Sequence, residues 1–226
     1  MESRLNKFLA EKTGISRREA DNFIAAGKVL INNEKAVLGA RIKDGDIVTL
    51  NGKVVDNSPL KYTYLMLNKP EGYVSSRKSQ GDAKTLYTLL PEKYQRLKTV
   101  GRLDKNSSGL ILLTDDGDFA FSHTHPKFYK IKTYQVVLDH GLEPLHQQEI
   151  SDFGIQLDDG PSKLFLTKLS EDRKRWQVEM SEGRNRQIRR TFAALGYEVI
   201  KLHRIEFGAY QLGSLKSGEF IEVEKK

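Results

Sequence analysis

The residues best placed to do chemistry lie in two stretches. The first, Gly101-Arg102-Leu103-Asp104-Lys105-Asn106-Ser107-Ser108-Gly109, carries a single carboxylate, Asp104, in a loop bounded by two glycines. It runs into Leu110-Ile111-Leu112-Leu113, apolar enough to be a strand buried on both faces, and loops held by such rigid strands are where reactive groups concentrate. A carboxylate is one of the side chains able to serve as a nucleophile or an acid–base group. On residue type alone Asp104 reads more readily as a turn cap, while an ordinary strand aromatic for Tyr134 and a surface charge for Arg102 are the alternatives.

The second stretch is Glu182-Gly183-Arg184-Asn185-Arg186-Gln187-Ile188-Arg189-Arg190. With Asn185 as N-cap and Gly196 as terminator, the pattern predicts a helix over 186–195. At 100° per residue, Ile188, Thr191, Phe192 and Leu195 share an apolar face, while Arg186, Arg190 and Ala193 point to solvent or an anion. Arg189 sits at the border, where it can lean toward a buried carboxylate. Arg186 and Arg190, four residues apart, repel by roughly 0.2–0.5 kcal/mol, so the cationic stripe favours an anionic partner. Residues 173–204 hold nine Lys or Arg against three acids, a net +6 in a chain of net +7. Such a field is the footprint of a phosphate-rich partner, although composition alone favours a solvated basic face and leaves the motifs to decide.

The elements that must position these residues belong to a soluble, globular composition, 38% hydrophobic and 30% charged over 226 residues. No apolar run approaches the ~18 residues of a membrane span, and no basic-then-apolar leader opens the chain, so no membrane partner is expected. The absence of cysteine excludes disulfides, thiolate metal sites and a cysteine nucleophile, and makes a reducing cytoplasm the natural setting. Asp115-Asp116-Gly117-Asp118 lacks the alternating acids of a calcium loop and reads as a turn with a helix cap. His123 and His125 have no third ligand, so no metal is expected.

Residues 1–57 read as a small α/β module. Leu5, Phe8 and Leu9 predict a short helix that stops before Gly14. Ser16 and Glu19 fit a capping box for a second helix, buried through Ala20, Phe23 and Ile24 and ended by Gly27. Arg17 and Arg18 occupy its first turn, where the macrodipole disfavours cations by ~0.3–1 kcal/mol each, which suits contact with phosphate. Strands over 28–31 and 47–50 follow, with turn chemistry at Asn32-Asn33 and at Lys43-Asp44-Gly45-Asp46. A polar turn, Asp56-Asn57-Ser58-Pro59, marks the boundary with a second domain over 58–226. There Tyr64 to Leu67, Leu110 to Leu113, Tyr134 to Leu138, Trp176 to Met180 and Phe220 to Val223 read as strands. The expected class is α+β, with a mixed, largely antiparallel sheet flanked by helices.

Two resemblances follow from these motifs. Arg4-Leu5-Asn6-Lys7-Phe8-Leu9, Ser16-Arg17-Arg18-Glu19-Ala20, Ile24 to Asn32 and Gly45-Asp46 resemble the S4-type RNA-binding domain, with Asn6 standing where many members carry Asp. This implies binding of structured RNA, with Arg17, Arg18 and Lys28 facing it. Gly101-Arg102-Leu103-Asp104 followed by Gly109 to Gly117, with Leu67 to Ser76 and the Arg189 helix, resembles the pseudouridine synthases, in particular the small-subunit ribosomal RNA type. That resemblance implies cofactor-free isomerisation of uridine in ribosomal RNA or an assembly intermediate by a monomer. Asp104 would be the nucleophile, Arg189 its bidentate partner, and Tyr134 the tyrosine packed on the uracil. Arg102 would displace the uridine from its stack, and Arg184, Arg186 and Arg190 would face RNA. Phe192 to Gly196 and Leu202-His203-Arg204 tilt the resemblance toward the small subunit. Large-subunit RNA, or a non-catalytic assembly role, is the alternative.

Overall fold

Leu5, Phe8 and Leu9 share the buried side of a helix over Leu5–Thr13 in the computed structural model, which describes residues 2–79 and 81–226. The chain forms two units, Met1–Tyr62 and Thr63–Lys226, and the polar turn in which Asp56 Oδ1 accepts from Ser58 lies inside the first. Gly14 ends the first helix in the left-handed region (φ 76°), its N–H donating to Ala10 O. Ser16 and Glu19 close the expected capping box on Arg17–Ala25, and Gly27 (φ 68°) follows that helix. Of the predicted stripe, Ala20 and Ile24 are buried while Phe23 is only partly so. The helices cover an antiparallel sheet ordered Glu34–Lys35, Val29–Ile31, Val48–Leu50, Lys53–Val54. Asn32 and Asn33 adopt positive φ (50° and 71°) in its first hairpin, the conformation that a two-residue turn of this hand demands.

The second unit is built on a nine-stranded mixed sheet. Its main path runs Phe165–Lys168, Arg175–Met180, Lys132–Leu138, Val199–Phe207, Ser108–Thr114, Tyr64–Lys69, Phe220–Glu222, with Lys98–Val100 and Tyr210–Gln211 paired off that path. All pairings are antiparallel except Val199–Phe207 with Ser108–Thr114. Ser108–Thr114 is buried at every residue, as its unbroken apolar run predicts. Side chains alternate across the sheet. Leu65, Leu67, Ile111 and Leu113 join Trp176, Ile188 and Phe192 on one side, while Met66, Leu110 and Leu112 join Phe119 and Phe207 on the other. Asp116 caps the helix Gly117–Thr124 by accepting from Phe119 N, as expected for that acidic turn.

The parallel seam depends on one glycine. Gly109 faces Arg204 across it with φ +105°, and a Cβ there would lie 2.2 Å from Arg204 O and 2.6 Å from Arg204 N. Only a residue without a side chain lets these backbones approach. Gly109→Ala is therefore expected to cost on the order of 3 kcal/mol or more in thermal or urea unfolding. Gly117→Ala, where an added Cβ meets nothing within 4 Å, should be neutral or slightly stabilising. Equal effects from the two substitutions would show that the close seam does not limit stability.

Candidate active site

Asp104 lies between the strands Lys98–Val100 and Ser108–Thr114, in a turn closed by Ser107 N–H donating to Asp104 O at 3.1 Å. Every other carbonyl from Leu103 to Ser107 also has a donor from elsewhere in the fold. Ser75 Oγ donates to Leu103 O (2.8 Å) and accepts from Leu103 N (3.1 Å). Gly72 N–H donates to Lys105 O at 2.8 Å. Arg189 Nη2 donates to Asn106 O (2.6 Å), and Lys69 Nζ donates to Ser107 O (2.6 Å) and Pro70 O (2.8 Å). The loop is thus fixed through its main chain, two of its bonds coming from cations and therefore stronger than neutral ones. Lys69, Gly72 and Ser75 all lie in the strand-to-loop stretch that in sequence carries only a weak signal.

Lys69 is completely buried, and burial pushes its ammonium down to about 8, Arg204 adding to the effect while Glu71 and Asp104 oppose it. At neutral pH it keeps its proton.

The Asp104 carboxylate opens into a cleft of about 870 Å³ that Arg102, Lys132, Tyr134, Arg186 and Arg204 also line. Tyr134 is buried and stands directly across the ladder from Arg204, whose guanidinium is 6.0 Å from its ring and 4.9 Å from the ring of Phe207. Arg204 is itself buried. Its Nε donates to Leu110 O (2.7 Å), but its Nη2 has no partner among the described residues. Lys132 Nζ donates to Ser181 O and Glu182 O, and burial with Arg204 nearby holds it at about 8. The cleft therefore combines one partly exposed carboxylate with several desolvated cations, an environment suited to developing negative charge.

The structure departs from three sequence expectations here: the bounds of the helix, its cap, and the bidentate contact of Arg189 with Asp104. The helix spans Gln187–Ala193 rather than 186–195, and Asn185 does not cap it. Arg186 occupies the N-cap position in the left-handed conformation (φ 47°, ψ 31°), and from there its Nη1 approaches Asp104 Oδ2 at 3.9 Å. Arg189 does not form the expected bidentate pair with Asp104. Its nitrogens donate to Val199 O and Asn106 O, so it grips the loop and acts on the carboxylate only through its field. Arg184 and Arg190 do not present free charge to solvent, because the Asp158-Asp159 turn neutralises them. Arg184 Nη1 meets Asp159 Oδ1 at 2.8 Å, and Arg190 pairs with Asp158 and with Asp159 Oδ2 (2.7 Å). Arg190 in turn holds the Asp159 carboxyl below the usual range. Arg102 is exposed and has no hydrogen bond or ion pair among the described residues.

Gln187, which the sequence did not single out, is buried and donates to Ser162 Oγ (3.1 Å) and Glu182 Oε2 (3.2 Å). Thr191 Oγ1 shares a hydrogen bond with the same Ser162 hydroxyl (2.7 Å), tying the helix to the hairpin beside it. A glutamine among arginines carries no periodic signal of burial.

In the N-terminal unit Arg17, Arg18 and Lys28 are all exposed. Arg17 Nη2 donates to Asn6 Oδ1 (3.0 Å), and Asn6 Nδ2 donates to Asp21, so the unusual asparagine orients the arginine. Arg18 has no partner among the described residues, and Lys28 Nζ lies 5.7 Å from the Phe23 ring centroid.

Residues 63–194 match the RNA pseudouridylate synthase family and residues 3–48 match the S4 domain. The chain is 38% identical to ribosomal large subunit pseudouridine synthase B of Bacillus subtilis, covering 97% of this chain and 91% of that one. It is 36% identical to ribosomal small subunit pseudouridine synthase A of Pasteurella multocida, covering 96% and 94%. A crystal structure of a pseudouridylate synthase aligns with a TM-score of 0.69 at 33% identity, covering 98% of this chain and 96% of that one.

The buried lysine gives a pH signature. Lys69 binds its proton more weakly folded than unfolded, so between about 8 and the ordinary lysine value of ~10.4 the unfolded chain holds more protons. The stability this group contributes is lowest below that window and rises through it. Urea unfolding of wild type and Lys69→Met at about pH 7.5 and about pH 9.5 should show their difference shifting in favour of wild type at the higher pH. A difference that does not move would contradict the burial of a charged Lys69.

Proposed function

The chain belongs to the RNA pseudouridylate synthase family, and on that premise we propose that it converts a uridine of small-subunit ribosomal RNA into pseudouridine, with Asp104 as the nucleophile. The observation that carries the reading is the Asp104 loop, immobilised carbonyl by carbonyl and opening beside Tyr134 into a cation-lined cleft. A fixed carboxylate aimed at a bound ribose or base supplies the orientation on which such a reaction depends.

The balance of the reaction is simple. Asp104 supplies an electron pair, at C1′ or at C6 of the base. The C1′–N1 bond breaks with its pair staying on the base, the base turns, C5 bonds to C1′, the bond to Asp104 breaks and returns its pair to the carboxylate, the C5 hydrogen leaves as a proton and N1 takes one up. No electrons leave the substrate, so the isomerisation requires no redox cofactor. Tyr134 packs on the uracil. Arg204, buried with an unpartnered nitrogen, faces the negative charge that the detached base carries. Arg186 is a loose counter-ion to Asp104, and Arg189 holds its loop. Arg102, free at the cleft edge, occupies the place of the unstacked uridine, because a base inside a helix cannot reach the site. Arg17, Arg18 and Lys28 contact phosphates of structured RNA.

Large-subunit RNA is the second reading, favoured by the 38% identity to the Bacillus subtilis relative whose name carries that substrate. Tritium release from [5-³H]uridine-labelled small- and large-subunit RNA distinguishes them. We expect release from small-subunit RNA by wild type and none by Asp104→Ala, which should still bind RNA. Release only from large-subunit RNA selects the second reading, and binding without release from either points to a non-catalytic assembly role. Arg189→Met should lower turnover on the order of 10²-fold through loss of loop geometry, with RNA affinity retained. A change confined to affinity would instead make Arg189 an RNA contact.

A further inference from the structure

Between Asp118 and Asp139 the chain carries no acid, and its stretch Phe121-Ser122-His123-Thr124-His125-Pro126-Lys127-Phe128-Tyr129-Lys130-Ile131-Lys132 interleaves aromatic and basic residues. The fold leaves the rings in the open. Phe121 is 47%, Phe128 39% and Tyr129 74% exposed, whereas rings of this size are ordinarily turned inward. Phe121 and Phe128 meet edge to face at 5.7 Å, and Lys127 Nζ rests over both, 5.2 Å and 4.8 Å from their centroids. Tyr129 holds a left-handed backbone (φ 46°, ψ 41°), a strained setting for a bulky residue, and its hydroxyl has no partner among the described residues. Lys127 and Tyr129 line the same cleft as Asp104 and Tyr134.

We propose that Phe121, Phe128 and Tyr129, with Lys127, form a stacking platform for the unpaired RNA nucleotides adjoining the target. The inference rests on the cleft being the uridine site. Extruding one base leaves its neighbours unstacked, and exposed aromatic faces continuous with the cleft are surfaces on which any base can stack. Lysines without acids supply charge for the accompanying phosphates. The rings alone would also suit a protein partner, but lysine, which stands at 127, 130 and 132, is depleted in the cores of protein interfaces.

The test uses the full chain and two probes. The first is a uridine-free oligoadenylate containing etheno-adenosine, whose fluorescence reports stacking and whose binding does not depend on the isomerisation. Tyr129→Ala should weaken its binding about tenfold, with Tyr129→Phe restoring it. Loss of a stacking ring leaves the slope of log affinity against log salt unchanged, while Lys127→Gln lowers it by about 0.7. The second probe is tritium-labelled ribosomal RNA, naked and in partly assembled particles, for which Tyr129→Ala should raise KM by a larger factor than it lowers kcat. Unchanged oligonucleotide binding by Tyr129→Ala overturns the platform. So does a defect seen only on assembled particles, which would make the patch a protein contact. If wild type releases no tritium from any RNA while the oligonucleotide result holds, the platform stands and the reading of the cleft as a uridine site falls.

Discussion

The geometry of the candidate site depends on the capture of the main chain around Asp104. An aspartate on a free loop would sweep many positions, and the cost of fixing it would fall on the reaction. Here that cost is met during folding. Ser75, Gly72, Arg189 and Lys69 each engage a carbonyl between Leu103 and Ser107, and the turn closes on itself through Ser107 N–H. The donors come from the end of the strand Tyr64–Lys69, from the loop after it and from the helix Gln187–Ala193, so one small turn reports whether both ends of the domain have assembled.

Directing two cations at carbonyls rather than at the carboxylate has an electrostatic consequence. A short, fully engaged ion pair would hold Asp104 in place but occupy its oxygens. By binding the backbone, Lys69 and Arg189 position the carboxylate while leaving it accessible, with Arg186 at 3.9 Å as a loose counter-ion. Desolvating Lys132 and Arg204 at the cleft and Lys69 behind the Asp104 loop is expensive, as the depressed values of both lysines show. A fold that retains such an arrangement stores positive potential where water is scarce.

The outer arginines follow a different rule. Arg184 and Arg190, both read from the sequence as facing RNA, pair with the Asp158-Asp159 turn and brace the hairpin formed by Ile155–Leu157 and Gly160–Ser162. Local net charge in the sequence is therefore a poor guide to the potential that a partner meets. The acids that cancel it lie some thirty residues upstream, beyond the reach of any periodicity argument.

Much of this protein was legible in its sequence, for reasons that are local. The capping box of Ser16 and Glu19, the Asn32-Asn33 turn, the acidic cap at Asp116 and the doubly buried strand ahead of Thr114 are set by short-range hydrogen bonding and by side-chain period, which adjacent residues encode. The motif around Asp104 marked the candidate loop. Tertiary structure alone decided what holds it. The roles of Lys69 and Ser75, the shift of Arg189 from carboxylate to carbonyl, the left-handed turn at Arg186 and the burial of Gln187 arise where distant segments meet. So does the need for Gly109, whose missing side chain admits the backbone of Arg204. The strand order was equally hidden, because an apolar run specifies that a strand is buried but not which neighbour buries it.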